Sequence, residues 1–143
     1  MFVEVKLSSR LEEKIHIYRR NFQARLRRQF EMREVARQQA LQAVHEKAPA
    51  ILSGFPSVQR AYLFGSVARP GAFHEGSDVD IAVEGVTTQE YFALWKALEE
   101  ALPDLAIDVR DLTPASPFSD LICKTGVLIY ERADSPSTSR DSG

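Results

Sequence analysis

Cysteine is almost absent from this chain. Cys123 is the only one among 143 residues, which excludes an intramolecular disulfide framework and a Cys-rich zinc site and makes a reducing compartment the natural setting. Histidine is nearly as scarce: His16, His45 and His74 are scattered and form no ligand-spaced cluster. Long apolar runs are missing too. None approaches the roughly 18 residues of a membrane span, and the opening MFVEVKLSSR lacks the basic start and long apolar middle of a signal peptide. The expected location is the cytoplasm, without membrane contact. Glycine and proline are absent until Pro49, so nothing in the first third of the chain forces a turn.

What is present suits one globular domain with an additional segment: 44% of residues are apolar and 27% charged. The net charge of -2 conceals an uneven distribution. Residues 1–47 hold 11 Lys and Arg against 6 Glu, whereas residues 48–143 hold 7 against 14 acids. In the basic part, Leu11, Ile15, Tyr18, Phe22, Leu26 and Phe30 recur every three or four positions, which predicts one long helix, or two joined by a bend near Glu31 to Glu34. Its arginines (Arg19, Arg20, Arg25, Arg27, Arg28, Arg33 and Arg37) fall on several faces at 100° per residue. The apolar stripe is therefore expected to pack on the rest of the domain or on another chain, a second copy included, with the arginines as a rim; an RNA-binding arm is the competing reading. Ahead of the helix, alternating Val3, Val5 and Leu7 suggest a short strand or extended arm. The Ser-rich stretch from Ala133 is expected to be a disordered tail.

Between Pro49 and Arg132 the pattern alternates in type. VQRAYLFG (58–65), DVDIAVE (78–84), LAIDVRDL (105–112) and GVLIYE (126–131) read as four strands. Thr87 to Glu90 forms a capping box ahead of a stripe of Tyr91, Leu94, Trp95, Leu98 and Leu102, with Phe92 also assigned to the core. Ser116 and Pro117 open a further helix, on which Cys123 reads as a small buried residue. The fold class is α+β: a mixed sheet with helices packed on it, preceded by a long N-terminal helix.

The chemistry concentrates in LFGSVARPGAFHEGSDVDIAVEG, residues 63–85. Asp78 and Asp80 lie two apart on a strand and so present two carboxylates on one face, a costly arrangement that a bound cation would offset. Hard divalent ions such as Mg²⁺ take oxygen ligands and are commonly completed by substrate phosphates. Asp108, flanked by Ile107 and Val109, is a third strand acid needing a partner or a role. Gly65 has no Cβ to block a phosphate, Ser66 offers a hydroxyl and a backbone N–H where the chain leaves the strand for a short helix, and Arg69 follows one turn later. Taken separately, GSVARPG also reads as an ordinary strand-to-loop turn and GSD as an ordinary loop.

Together, Gly65-Ser66, Ser77-Asp78-Val79-Asp80-Ile81 and Asp108 resemble the motif of the DNA polymerase β-like nucleotidyltransferase superfamily. LFGSVAR and the closing GVLIYER are similar, more specifically, to the minimal nucleotidyltransferases that serve as antitoxins of HEPN toxins. The resemblance covers roughly residues 50 to 132, and the chain divides into a basic helical extension, residues 1–47, a minimal nucleotidyltransferase domain, residues 48–132, and the tail, residues 133–143. It implies an Mg²⁺-dependent transfer of AMP from ATP to a hydroxyl, a tyrosine, of a HEPN toxin. By position it makes Asp78, Asp80 and Asp108 the metal-binding and catalytic carboxylates, and Gly65, Ser66, Arg69 and Ser77 the nucleotide-binding residues. Pro70 stands where the family usually has glycine, and Phe73-His74-Glu75 fills a slightly longer loop. An antitoxin acting by contact alone, or a small-molecule nucleotidyltransferase, are the alternative functions.

Overall fold

The computed structural model describes residues 2–133, with side chains from residue 8 onward. Most of the expected tail, residues 134–143, lies outside the described residues. Helix α1 (Phe2–Ser53) leads into β1 (Arg60–Phe64), a 3₁₀ turn (Gly65–Ala68), β2 (Asp78–Glu84), α2 (Thr88–Ala101), β3 (Ala106–Asp111), α3 (Pro117–Thr125) and β4 (Val127–Glu131). The sheet order is β3-β2-β1-β4, with β1 antiparallel to both β2 and β4 and β2 parallel to β3. The parallel pair requires a crossover, and α2 supplies it. All four expected strands and both expected capped helices form. Thr87 accepts the Glu90 N–H, and Ser116 accepts the Ser119 N–H in a capping box with Pro117 at the first helical position.

Alternation sorts the sheet into two faces. Val79, Ile81 and Val83 of β2 are fully buried with Val109, Leu94, Leu98 and the end of α1, whereas Tyr62 and Ala82 pack on the opposite face with Leu112 and Ile122 beneath α3. Cys123 is half-buried at that second cluster. Trp95 packs against the main core as expected, but Phe92 does not: it is 69% exposed and touches Tyr91 edge-on. At 100° per residue Phe92 lies about 160° round the helix from Leu94 and about 120° from Leu98, so it points away from the core that those leucines enter.

Helix α1 departs from expectation at both ends. The alternation of Val3, Val5 and Leu7 does not make a strand, because the helix already begins at Phe2. The helix is unbroken through Glu31 to Glu34, so the two-helix alternative does not apply. At the other end the helix runs through Pro49 to Ser53, across the division between residues 47 and 48. Ala40, Val44, Ala48 and Leu52 are buried in the main core, and their burial offsets the backbone hydrogen bond that proline removes, at roughly 1.5–3 kcal/mol per large apolar side chain. The N-terminal part of α1 behaves differently. Leu11, Ile15, Tyr18, Phe22, Leu26 and Phe30 are 45–70% exposed, so this stripe does not pack on the domain, apart from the contact of Phe30 with Gly71.

Candidate functional site

The register of the parallel pair builds the site. Asp80 lies opposite Asp108, and Asp78 opposite Ala106, so strand alternation puts all three carboxylates on the face away from the main core. Asp78 is exposed, and Asp80 and Asp108 are half-buried. The Asp80 carboxyl is pushed above its usual range, first by burial and then by the charges of Asp108 and Asp78, with Arg110 opposing. Arg110 also meets Asp108 directly, Nε to Oδ2 at 3.4 Å. The three acids therefore feel one another, and one cation is not enough to neutralise them.

Two side chains of α2 fix the strand that carries Asp108. The Trp95 indole Nε1–H donates to the Ile107 carbonyl at 2.9 Å, and the Tyr91 hydroxyl donates to the Val109 carbonyl. These carbonyls flank Asp108 on an edge strand, where no neighbouring strand would otherwise take them. Burial, followed by the charge of Asp108, raises the Tyr91 phenol above its ordinary value. Sequence reasoning placed Tyr91 and Trp95 in the core stripe only; their spacing of four residues, each with a polar tip, was the available signal.

The antiparallel register brings in the other half. Phe64 lies opposite Asp80, so the next residue, Gly65, meets the Asp80 carboxylate as the chain turns away. Gly65 has φ +70, and a Cβ there would overlap Asp80 Oδ2. The glycine is needed for this close approach as well as for backbone access. The expected short helix is a single 3₁₀ turn, Gly65–Ala68, anchored by buried Val67. A turn this short has no helix dipole to offer an anion, which leaves only its local N–H groups for that purpose. Ser66 is half-buried and its carbonyl accepts the Arg69 N–H at 3.1 Å, while Arg69 itself is exposed.

Helix α1 clamps the loop that follows. Glu34 accepts the Gly71 N–H, Arg37 donates to the Val67 carbonyl at 3.3 Å while paired with Glu34 at 3.0 Å, and Arg33 donates to the Gly71 carbonyl at 3.4 Å. The Phe30 ring lies so close to Gly71 that a Cβ there would force the ring to shift, and Gly71 has a positive φ of +77 besides. Sequence reasoning missed this clamp, since a contact between residues 34 and 71 leaves no local trace. Farther along the loop, the Ser77 hydroxyl accepts the His74 N–H at 3.1 Å, and exposed His74 turns its ring Nδ1 to the Glu75 carbonyl. Ser77 thus closes the turn that delivers Asp78. An apolar groove of about 730 Å³ runs from Met32 and Val35 of α1 past Phe73 to Ser77 and Ala106, beside the carboxylates rather than over them.

Among the described residues no group of three or more His, Cys, Asp and Glu side chains is arranged to hold a metal ion by itself, the three aspartates included. The donors fit a hard divalent cation all the same. They are carboxylate oxygens at mutual electrostatic cost, open to solvent at Asp78, and Mg²⁺ is commonly held by one or two carboxylates with waters and substrate phosphates completing its shell. Gly65 and Ser66 stand next to them with backbone available to a phosphate. Such a surface suits transfer of a phosphorus centre between two oxygens.

Residues 46–135 match the family model described as polymerase beta, nucleotidyltransferase. The protein adenylyltransferase MntA of Shewanella oneidensis is 36% identical over 69 residues, 48% of this chain and 48% of that one, so the chain spans about half the length of this curated relative. A crystal structure of a toxin–antitoxin with AMP-PNP is similar with a TM-score of 0.52 at 30% identity, over 62% of this chain and 74% of that one. A mutant of the toxin–antitoxin MntA–HpeT is similar with a TM-score of 0.51 at 26% identity, over the same shares.

Proposed function

Since the chain belongs to the polymerase β nucleotidyltransferase family, we propose that it is an antitoxin that transfers AMP from ATP to a tyrosine hydroxyl of a HEPN-type toxin. The observation that carries this reading is the register of Asp80 against Asp108, with Asp78 on the same face and Gly65 against Asp80. The named activity of MntA and the nucleotide analogue in a similar toxin–antitoxin structure support the choice of AMP and of a protein acceptor.

In this reading residues 48–132 are the catalytic unit and the exposed part of α1 is an extension. Asp78 and Asp80 hold Mg²⁺, and Asp108 completes the carboxylate set next to the acceptor oxygen. Bound Mg²⁺ would neutralise phosphate charge and polarise the attacking and leaving oxygens. Gly65 and Ser66 take the terminal phosphates through backbone and hydroxyl donors, Arg69 adds positive charge, and Ser77 keeps the loop before Asp78 in place. The acceptor oxygen forms a bond to the α-phosphorus as the bond to the bridging oxygen breaks, releasing pyrophosphate, while the hydroxyl proton leaves on the side of Asp108. Tyr91 and Trp95 position β3, so they orient Asp108 without touching substrate.

The test is incubation with ATP labelled at the α-phosphate, Mg²⁺ and the purified HEPN protein, followed by mass spectrometry of the acceptor. A nucleotidyl adduct on a tyrosine is expected with wild type and none with Asp78→Asn/Asp80→Asn. If that variant protects cells from the toxin as well as wild type, neutralisation is by contact and the catalytic reading fails.

A further inference from the structure

The stripe Leu11 to Phe30 has no counterpart in the family match, which begins at residue 46. It continues the buried face of the same helix: the three- and four-residue steps that lead to Phe30 go on through Arg33 to buried Ala40, Val44 and Ala48. A helix face that is core at one end and 45–70% exposed at the other is shaped to be covered. At roughly 100 Å² for each of six large side chains, with the stems of flanking arginines added, it approaches the roughly 800 Å² that one partner buries in a specific interface.

Charge selects among occupants. Residues 8–33 hold eight Lys and Arg against three Glu, a balance of +5. Pairing the stripe with the same stripe of a second copy would bring two such segments together. An acidic protein surface meets the same arginines favourably. Position selects further: Phe30 rests on Gly71, and Arg33, Glu34 and Arg37 hold the loop between Val67 and Gly71. A protein seated on the stripe therefore abuts the loop that follows Gly65 and Ser66.

We propose that the face of α1 formed by Leu11, Ile15, Tyr18, Phe22, Leu26 and Phe30 is the seat of the acceptor protein, which meets it with an apolar groove rimmed by Asp and Glu. The acceptor is thereby held beside the candidate site by an element outside the catalytic domain. This inference rests on the reading of the chain as a transferase to protein, but binding and transfer are measured separately.

The experiment uses the full chain, its Tyr18→Ser/Phe22→Ser and Arg19→Glu/Arg25→Glu variants, and as probe the purified HEPN-type protein named as acceptor above. These positions are exposed, so thermal midpoints should match wild type. The Ser variant should weaken the complex, measured without ATP, and raise KM for the acceptor at least about tenfold. Its binding of a fluorescent ATP analogue with Mg²⁺ should stay within about twofold of wild type. The Glu variant should slow association and lose most of its salt dependence. Unchanged acceptor affinity in the Ser variant overturns the proposal, whether that variant has instead lost a dimer seen for wild type by sedimentation or lost a labelled RNA that wild type retains. A complex that depends on Tyr18 and Phe22 but yields no transfer by wild type supports the seat and refutes the transferase reading.

Discussion

Gly65 and Asp80 occupy one another's space so closely that no side chain fits on the former while the latter keeps its carboxylate in place. The two are 15 residues apart in sequence, brought together because Phe64 is the register partner of Asp80. Gly65→Ala should therefore carry two costs: the positive φ of +70, worth about 1–2 kcal/mol for a residue with a Cβ, and displacement of the carboxylate. Chemical denaturation of the single variant and of Gly65→Ala/Asp80→Ala separates them, since the double variant should recover the steric part only. Equal stability of Gly65→Ala and wild type would mean that the turn relaxes freely.

Asp80 should be a stability liability when no cation is bound. Burial and the charges of Asp108 and Asp78 raise its carboxyl above 3.8, so the folded chain holds this proton more tightly than the unfolded chain. Its contribution is most favourable at low pH and is lost as pH rises from 3.8 through the raised value. Asp80→Asn removes that loss. Thermal melts without divalent cation should show the variant gaining on wild type as pH rises through this window, then keeping a constant advantage. At neutral pH with Mg²⁺ and ATP, transfer should fall at least about a hundredfold.

Strands and caps were legible because they rest on local chemistry. DVDIAVE alternates with a period of two, and Ser116-Pro117 places an N-cap before a residue that lacks an N–H. The grouping of Asp78 with Asp80 followed from the same period. That Asp108 joins them depends on the register of a parallel pair, which alternation alone does not set. The hydrogen bonds of Tyr91 and Trp95 to carbonyls flanking Asp108, and the clamp of Glu34 on Gly71, are long-range contacts without sequence periodicity. The end of α1 was misjudged for a different reason. Pro49 signals a boundary in isolation, but Ala48 and Leu52 on either side of it are driven into the core.

Ser66→Ala should leave the apo protein unharmed. The hydroxyl makes no hydrogen bond within the described residues, whereas buried Val67 anchors the turn. A donor to a phosphate is felt only when phosphate is present, at roughly 1.5–3 kcal/mol for a charge-assisted hydrogen bond. ATP binding should weaken by about one to two orders of magnitude with an unchanged thermal midpoint. A lower midpoint without nucleotide would give Ser66 a structural role instead.

The clamp from α1 supplies the last prediction. Glu34 accepts the Gly71 N–H while paired with Arg37, which itself reaches the Val67 carbonyl. The Arg37 hydrogen bond first, and the Gly71 N–H second, hold the Glu34 carboxyl below its usual 4.5. A depressed carboxyl contributes stability that is complete above the unfolded value and is lost as pH falls through the folded one. Glu34→Ala should remove this acid-sensitive component and free both ends of the segment from Val67 to Gly71. Because Gly65 and Ser66 lie immediately before that segment, KM for ATP should rise several-fold, while kcat at saturating ATP changes less, since Asp78, Asp80 and Asp108 are held by other elements. Steady-state kinetics with varied ATP, together with melts from pH 3 to 7, check both parts. A fall in kcat alone would show that the clamp acts on the carboxylates rather than on the phosphate loop.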